Sequence, residues 1–346
     1  MRKVIPLPPS KGDANSRKTM IKKNIFLALA AFVILQSCQQ NKPTEGNTVA
    51  EVQLQSPNFD ADSAYAYTKA QVDFGPRIPS TPAHAKTADY LVAKLKSFGG
   101  EVSVQQTPMK TYDGKTHQLK NIIAAFYPEK KQRVLITAHW DARPFSDEDP
   151  NMGMRNKPFD AANDGASGVA VILEMARQIQ QKAPEVGVDF ILWDLEDYGS
   201  ANDETTHETT WCLGSQYWAK NPTIKGSKPL YAINLDMVGG ANAQFTQDAV
   251  SRQYAPSVVS KVWSIASEIG YGNYFINVTS GELIDDHYWI NQAGIPAIDV
   301  IHYSDAAGFY SNWHTQLDNL NNIDRNTLKA VGQTVLETIY REKFSQ

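Results

Sequence analysis

Several short stretches of this sequence carry side chains able to bind a cation or move a proton. They are His139-Trp140-Asp141, Asn163-Asp164-Gly165, Asp194-Leu195-Glu196-Asp197, Asp236, Asp285-Asp286-His287, His302, and Trp313-His314-Thr315 with Asp318 close by. Each has an ordinary reading on its own. A lone His after a buried strand, such as His139, is more often structural than a ligand. Asp164, in a Gly-rich loop entering a helix, reads equally well as a turn or cap residue. The acids at 194, 196 and 197 repel one another unless a cation or proton offsets them. Asp236 ends an apolar run, where an unpaired carboxylate is costly. Taken together, one metal site accounts for all of them. The donors on offer are imidazole nitrogens and carboxylate oxygens, with no suitable pair of thiolates. That set suits catalytic zinc with an open position; structural zinc would use Cys, and calcium rarely takes His.

The surrounding pattern predicts how these residues are brought together. Apolar, β-rich runs at 101–107, 119–127, 133–138, 187–194, 230–236 and 296–302 read as strands. Helical spacing covers 60–73, with Ala64, Tyr67 and Val72, and 81–98, with Tyr90, Leu91, Ala93 and Leu95. Further helices read at 167–182, 213–220, about 255–269, 286–292 and 324–342. Runs such as Val134-Leu135-Ile136 and Phe190-Ile191-Leu192-Trp193 are apolar without alternation, as in a sheet covered by helices on both faces. His139, Asp141, Glu196, Asp197, Asp236 and His302 all fall at the ends of these strands. Ligands of open α/β sheets bind there, so the pattern predicts one shared site.

Composition excludes some classes. The chain has 346 residues, 42% of them apolar, and a net charge of −4. This is enough for a large α/β domain, and it lacks the basic excess of a nucleic-acid binder. The N-terminus reads as a targeting segment. Lys22 and Lys23 precede an apolar stretch from Ile25 to Leu35, the basic and apolar regions of a secretory signal, which is short for a membrane span. It ends in Leu35-Gln36-Ser37-Cys38, which resembles the lipobox of bacterial lipoproteins. The resemblance implies cleavage before Cys38, lipidation of its thiol, and an exported protein of the periplasm or cell envelope anchored to a bacterial membrane. Met20 is the expected start, residues 1–38 the signal segment, 39–56 a polar flexible tether, and 57–346 the catalytic domain. Cys212 is then the remaining thiol, expected to be a partly buried residue without catalytic use.

The motifs also carry a family resemblance. AHWD (138–141), NDGASG (163–168), LED (195–197), NLDM (234–237), DDH (285–287) and WHT (313–315) follow the order and approximate spacing of the zinc aminopeptidase family. FGPR (74–77) and the run 81–99 resemble that family's N-terminal helices, so the likeness spans about residues 57–342. It implies a single three-layer α/β/α domain with a central mixed, mostly parallel twisted sheet. It also implies zinc held by Asp164, Asp197 and His314, with His139 as a candidate ligand for a second metal.

The family has two branches. Aminopeptidases hydrolyse peptide bonds with two zinc ions. Glutaminyl cyclases share the fold, use one zinc in the animal-type enzymes, and convert an N-terminal glutamine of peptides or proteins to pyroglutamate with loss of ammonia. Asp285 before Asp286-His287, Trp313 before His314, and Phe309 resemble the cyclase branch. That resemblance implies one zinc ion, Glu196 as proton shuttle, Asp285 and Asp236 in a carboxylate network with it, and Trp313, Phe309 and Trp211 as pocket walls. Trp211 reads equally as an ordinary aromatic of a loop or core. A two-zinc aminopeptidase is the alternative, and a non-catalytic binding protein on the same fold a third reading, against which the intact acids argue. Glu-Asp at 196–197 stands where the cyclases have Glu-Glu, and Ile284 where animal cyclases have a polar residue. His207 is expected to be exposed and not a ligand, His302 to pack or hydrogen-bond near the site, and Ser146–Pro150 to be solvated loop, with a calcium role unsupported.

Overall fold

The computed structural model describes residues 52–201, 207–224 and 226–343. The signal segment, Cys38 and the tether to residue 51 lie outside them. The last tether residues are tied down: Gln55 and Ser56 donate their backbone N–H groups to Glu337, and Ser56 is buried. Among the described residues, no helix is long and apolar enough to cross a membrane.

The strands are β1 (Glu101–Lys110), β2 (Thr116–Phe126), β3 (Arg133–His139), β4 (Gly187–Trp193), β5 (Ala232–Asp236), β6 (Phe245–Gln247), β7 (Phe275–Thr279), β8 (Ala297–Ile301), β9 (Tyr303–Ser304) and β10 (Gly308–Phe309). The helices are α1 (Ala61–Val72), α2 (Pro82–Ser97), α3 (Ala166–Gln181), α4 (His207–Thr210), α5 (Leu213–Lys220), α6 (Ala249–Tyr254), α7 (Pro256–Glu268), α8 (Asp286–Gln292) and α9 (Arg325–Arg341). The central sheet has the order β1-β2-β4-β3-β5-β8. β1, β2 and β4 pair antiparallel; β4, β3, β5 and β8 run parallel.

Both faces of the sheet are buried, and the period-2 geometry of a strand shows how. Val134, Ile136 and Ala138 of β3 and Val188, Phe190 and Leu192 of β4 point into the larger core, with α1, α2, α3, α7 and α9. Leu135, Ile191 and Trp193 point the other way, onto Trp218 of α5 and Ile290 of α8. Hence these strands read as unbroken apolar runs. The result is a three-layer α/β/α domain. α3 approaches β5 closely enough that a side chain at Gly168 would collide with the carbonyl of Leu235.

The six strands and seven helices expected from the sequence all form, within a few residues at their ends. Some details differ. On α2, Ala93 is exposed, while His84 and Thr87 are buried. His84 turns inward because its ring stacks on Trp140, centroids 4.2 Å apart, and bonds Asp194 at 2.9 Å. The β6–β7 pair, the β9–β10 hairpin, α4 and α6 are additional.

Candidate active site

The site is built where β3, β4, β5 and β8 end. His139 is the last residue of β3 and Asp236 the last of β5. The stretch 194–197 leaves β4 and resolves its charge crowding by pointing its acids apart. Asp194 turns to His84 and accepts the backbone N–H groups of Lys120 and Leu195. Leu195 adopts a left-handed backbone (φ 56°) and packs with Leu119, Tyr198 and Leu213. Glu196 and Asp197 then face the pocket, their backbone N–H groups held by Asp141 at 3.1 and 3.3 Å.

Asp164, Asp197 and His314 converge, each offering a ligand atom within 4.8 Å of the others. His314 Nε2 lies 3.1 Å from Asp197 and 3.4 Å from Asp164. Asp318 sets the Asp164 loop by accepting the N–H groups of Asn163 and Asp164 at 2.7 and 3.1 Å. A side chain at Gly165 would collide with the His139 ring, so this loop needs glycine there. Asp164 is not a cap: the N-cap of α3 is Gly165, with no side-chain cap bond. His139, Asp164 and Asp236 form a second cluster beside the first, with His139 Nε2 2.9 Å from Asp164 and 3.2 Å from Asp236.

The electrostatics favour a cation. Burial works against charge on both imidazoles, yet the carboxylates around them outweigh it and hold His139 and His314 well above the ordinary His range. Burial, partly opposed by the His139 bond, pushes Asp236 up to about 7. Burial, with Asp197, Asp285 and Asp286 nearby, raises Glu196 well above a usual carboxyl although His139 opposes it. Without a metal, these acids are balanced by protons on the two imidazoles and, at Asp197, by the Arg143 guanidinium 3.9 Å away. A divalent cation with oxygen and nitrogen ligands takes over that role, so the residues fit zinc.

A cavity of about 110 Å³ opens from these groups, lined by Trp211, Phe309, Trp313, Leu283, Ile284 and Ile301 together with Glu196, Asp285 and Asp236. Trp313 stacks on His314 with centroids 3.8 Å apart, and Phe309 packs against Trp313 at 4.6 Å. Trp211 lies nearly parallel to the His314 ring, with the Arg143 guanidinium 4.6 Å from its own. It is a wall of the pocket rather than a bystander. Asp285 spends one oxygen on the N–H of Asp286 at the start of α8; the other has no hydrogen bond among the described residues.

Four expectations are corrected or left aside here. Cys212 is fully rather than partly buried, and its Sγ bonds Glu196. The stretch Ser146–Pro150 is not a solvated loop. Ser146 and Asp149 are buried, Asp149 holds the backbone of Gln316, and Asp147 reaches His314 Nδ1. His287 lies 3.3 Å from Asp248 and 3.6 Å from Asp299, and it groups with Asp285 and Asp299 rather than with Asp164. The side chain of His207 lies outside those described. His302 packs as expected, its ring 5.4 Å from Tyr310.

Residues 121–339 match peptidase family M28. The chain belongs to that family. Among solved M28-like structures, a Zn-dependent exopeptidase from Parabacteroides distasonis is 51% identical, with a TM-score of 0.80, covering 83% of this chain and 100% of that one. Bacteroides thetaiotaomicron glutaminyl cyclase bound to N-acetylhistamine is 48% identical, with a TM-score of 0.81 and the same coverage of 83% and 100%. Aminopeptidase YwaD of Bacillus subtilis is 27% identical over 277 residues, 76% of this chain and 54% of that protein. The chain thus spans about half the length of that curated relative.

Proposed function

We propose that this M28 chain is a glutaminyl-peptide cyclotransferase. It converts the N-terminal glutamine of peptides or proteins to pyroglutamate and releases ammonia. The observation that carries this reading is the small aromatic pocket beside His314, walled by Trp211, Phe309 and Trp313 and ending at Glu196 and Asp285. It has room for one flat side chain and acids where a proton must move. The likeness to a glutaminyl cyclase over the whole of that chain supports it.

Asp164, Asp197 and His314 would hold one zinc ion. When bound, zinc supplies Lewis-acid polarisation of the glutamine γ-carbonyl. The pocket walls orient the side chain so that the substrate's own α-amine meets the γ-carbon, a five-membered closure whose proximity comes with the substrate. As the C–N bond forms, Glu196 takes a proton from the attacking amine. As the old C–N bond breaks, the same proton goes to the leaving nitrogen, which departs as ammonia. A carboxyl raised by burial suits both halves of that transfer. Asp285 and Asp236 flank the departing amide.

One zinc rather than two is supported by an asymmetry between the imidazoles. A ligating His normally has its far nitrogen held by a partner. His314 Nδ1 lies 3.2 Å from Asp147, whereas His139 Nδ1 faces Asp141 at 3.6 Å, beyond hydrogen-bond range. The second cluster, His139 with Asp164 and Asp236, favours the other reading, a two-zinc aminopeptidase. Incubation with a Gln-initiated peptide separates them: ammonia release at constant chain length supports the cyclase, and residue-by-residue shortening supports the peptidase. We also propose that the chain is exported and lipid-anchored at Cys38, from the signal and lipobox pattern before it. Cys38→Ala should release the protein from the membrane fraction; retention there would refute the anchor.

A further inference from the structure

Glu196 is held by an unusual partner. Among the described residues, the hydrogen bond recorded on its carboxyl comes from the Sγ of Cys212, 3.3 Å from Oε1. Oε2 lies 3.7 Å from His139 Nδ1, outside hydrogen-bond range. The two residues are also locked through the backbone. Cys212 donates its N–H to the Glu196 carbonyl at 2.9 Å, and Leu213 donates to Leu195 at 3.0 Å.

The local conformation shows that the thiol is committed to this contact. Cys212 occupies the N-cap position of α5, where Ser, Thr, Asp or Asn normally bonds the first turn. Its side chain makes no such bond, and its backbone is left-handed at φ 55°. The residue gives up the cap and accepts the backbone conformation while its sulfur faces Glu196. Burial and then the charges of Glu196, Asp286 and Asp285 push the thiol up, so it keeps its proton and acts as the donor. A thiol is a weak donor. It can fix the direction of a carboxylate while stabilising its charge less than a hydroxyl would.

We propose that Cys212 is a positioning residue for Glu196: its S–H fixes Oε1 and leaves Oε2 as the oxygen that carries the proton between the α-amine and the leaving ammonia. The inference rests on Glu196 being the proton carrier, as read above. Cys, Ser and Ala tolerate the left-handed backbone about equally, so comparing them isolates the side chain.

The test is steady-state kinetics on the zinc-loaded enzyme with a Gln-initiated peptide, for Cys212→Ala, Cys212→Ser and Glu196→Gln. Assays run well below each variant's Tm, so a packing loss appears in Tm and not in kcat. The expected result is an inactive E196Q and a C212A with kcat lowered about 10-fold at unchanged KM. C212S should recover most of that loss, and all three should bind zinc as the parent does. An inactive E196Q beside a fully active C212A overturns the role of Cys212 alone. So does a C212S no better than C212A, or a change confined to KM. An active E196Q overturns the proton-carrier reading, and this inference with it.

Discussion

Asp147 lies 3.2 Å from Nδ1 of His314, so the opposite nitrogen of that ring is turned to Asp164 and Asp197. Asp147 is itself clamped by the Arg143 guanidinium, which also donates to the carbonyls of Asp197 and Gly199. One loop therefore sets a ligand's tautomer and braces the stretch that carries the next ligand. Asp147→Asn should weaken zinc binding about 10- to 100-fold, with activity restored by excess zinc. Competition against a chelator measures this, and an unchanged affinity would remove Asp147 from the metal site.

Glu196→Gln keeps the shape of the side chain but cannot carry a proton. It should lower kcat by about 10²- to 10⁴-fold while leaving zinc content and Tm unchanged. A loss seen only in KM would mean that Glu196 binds substrate instead.

Much of this site is legible in the sequence because strand ends carry it. His139, Glu196, Asp197 and Asp236 each follow an apolar run whose register is fixed by two buried faces, so their convergence follows from the sheet. Asp147 and Cys212 were not legible in the same way. Asp147 sits among acids typical of a solvated loop, and only the return of 314–316 against it, with Glu148 donating to the His314 carbonyl, makes it a partner. Cys212 lies in a turn whose direction depends on its pairing with 195–196. Both contacts are set by loop paths, which leave no periodic trace. A weak signal exists for Cys212: a Cys directly before a helix, where a capping residue is usual.

Trp313 and Phe309 stack in series onto His314. Trp313→Ala removes the ring next to the ligand and should cost about 1–3 kcal/mol of transition-state binding, roughly 5- to 150-fold in kcat/KM. Ile284→Ala, at another part of the pocket lining, should cost less. Equal effects would argue against an aromatic clamp on the substrate side chain.

Burial lowers the His302 imidazole to about 4. Its folded value is below its unfolded one, so the unfolded chain binds the extra proton between about pH 4 and pH 6.5. Stability from this group is present in full above about pH 6.5 and lost as pH falls toward 4, by at most about 3 kcal/mol. His302→Gln should flatten the Tm-versus-pH curve over that window. An unchanged slope would contradict the burial assigned to this ring.

The central claim concerns which bond is broken and what replaces it. The most direct measurement uses a Gln-initiated peptide labelled with ¹⁵N in the side-chain amide, incubated with the zinc-loaded enzyme in H₂¹⁸O and read by mass spectrometry. Cyclisation predicts a product of full chain length, release of the labelled nitrogen as ammonia, and no ¹⁸O in the peptide. Free glutamine that keeps its ¹⁵N beside a peptide one residue shorter, or any product that has gained ¹⁸O, would contradict it.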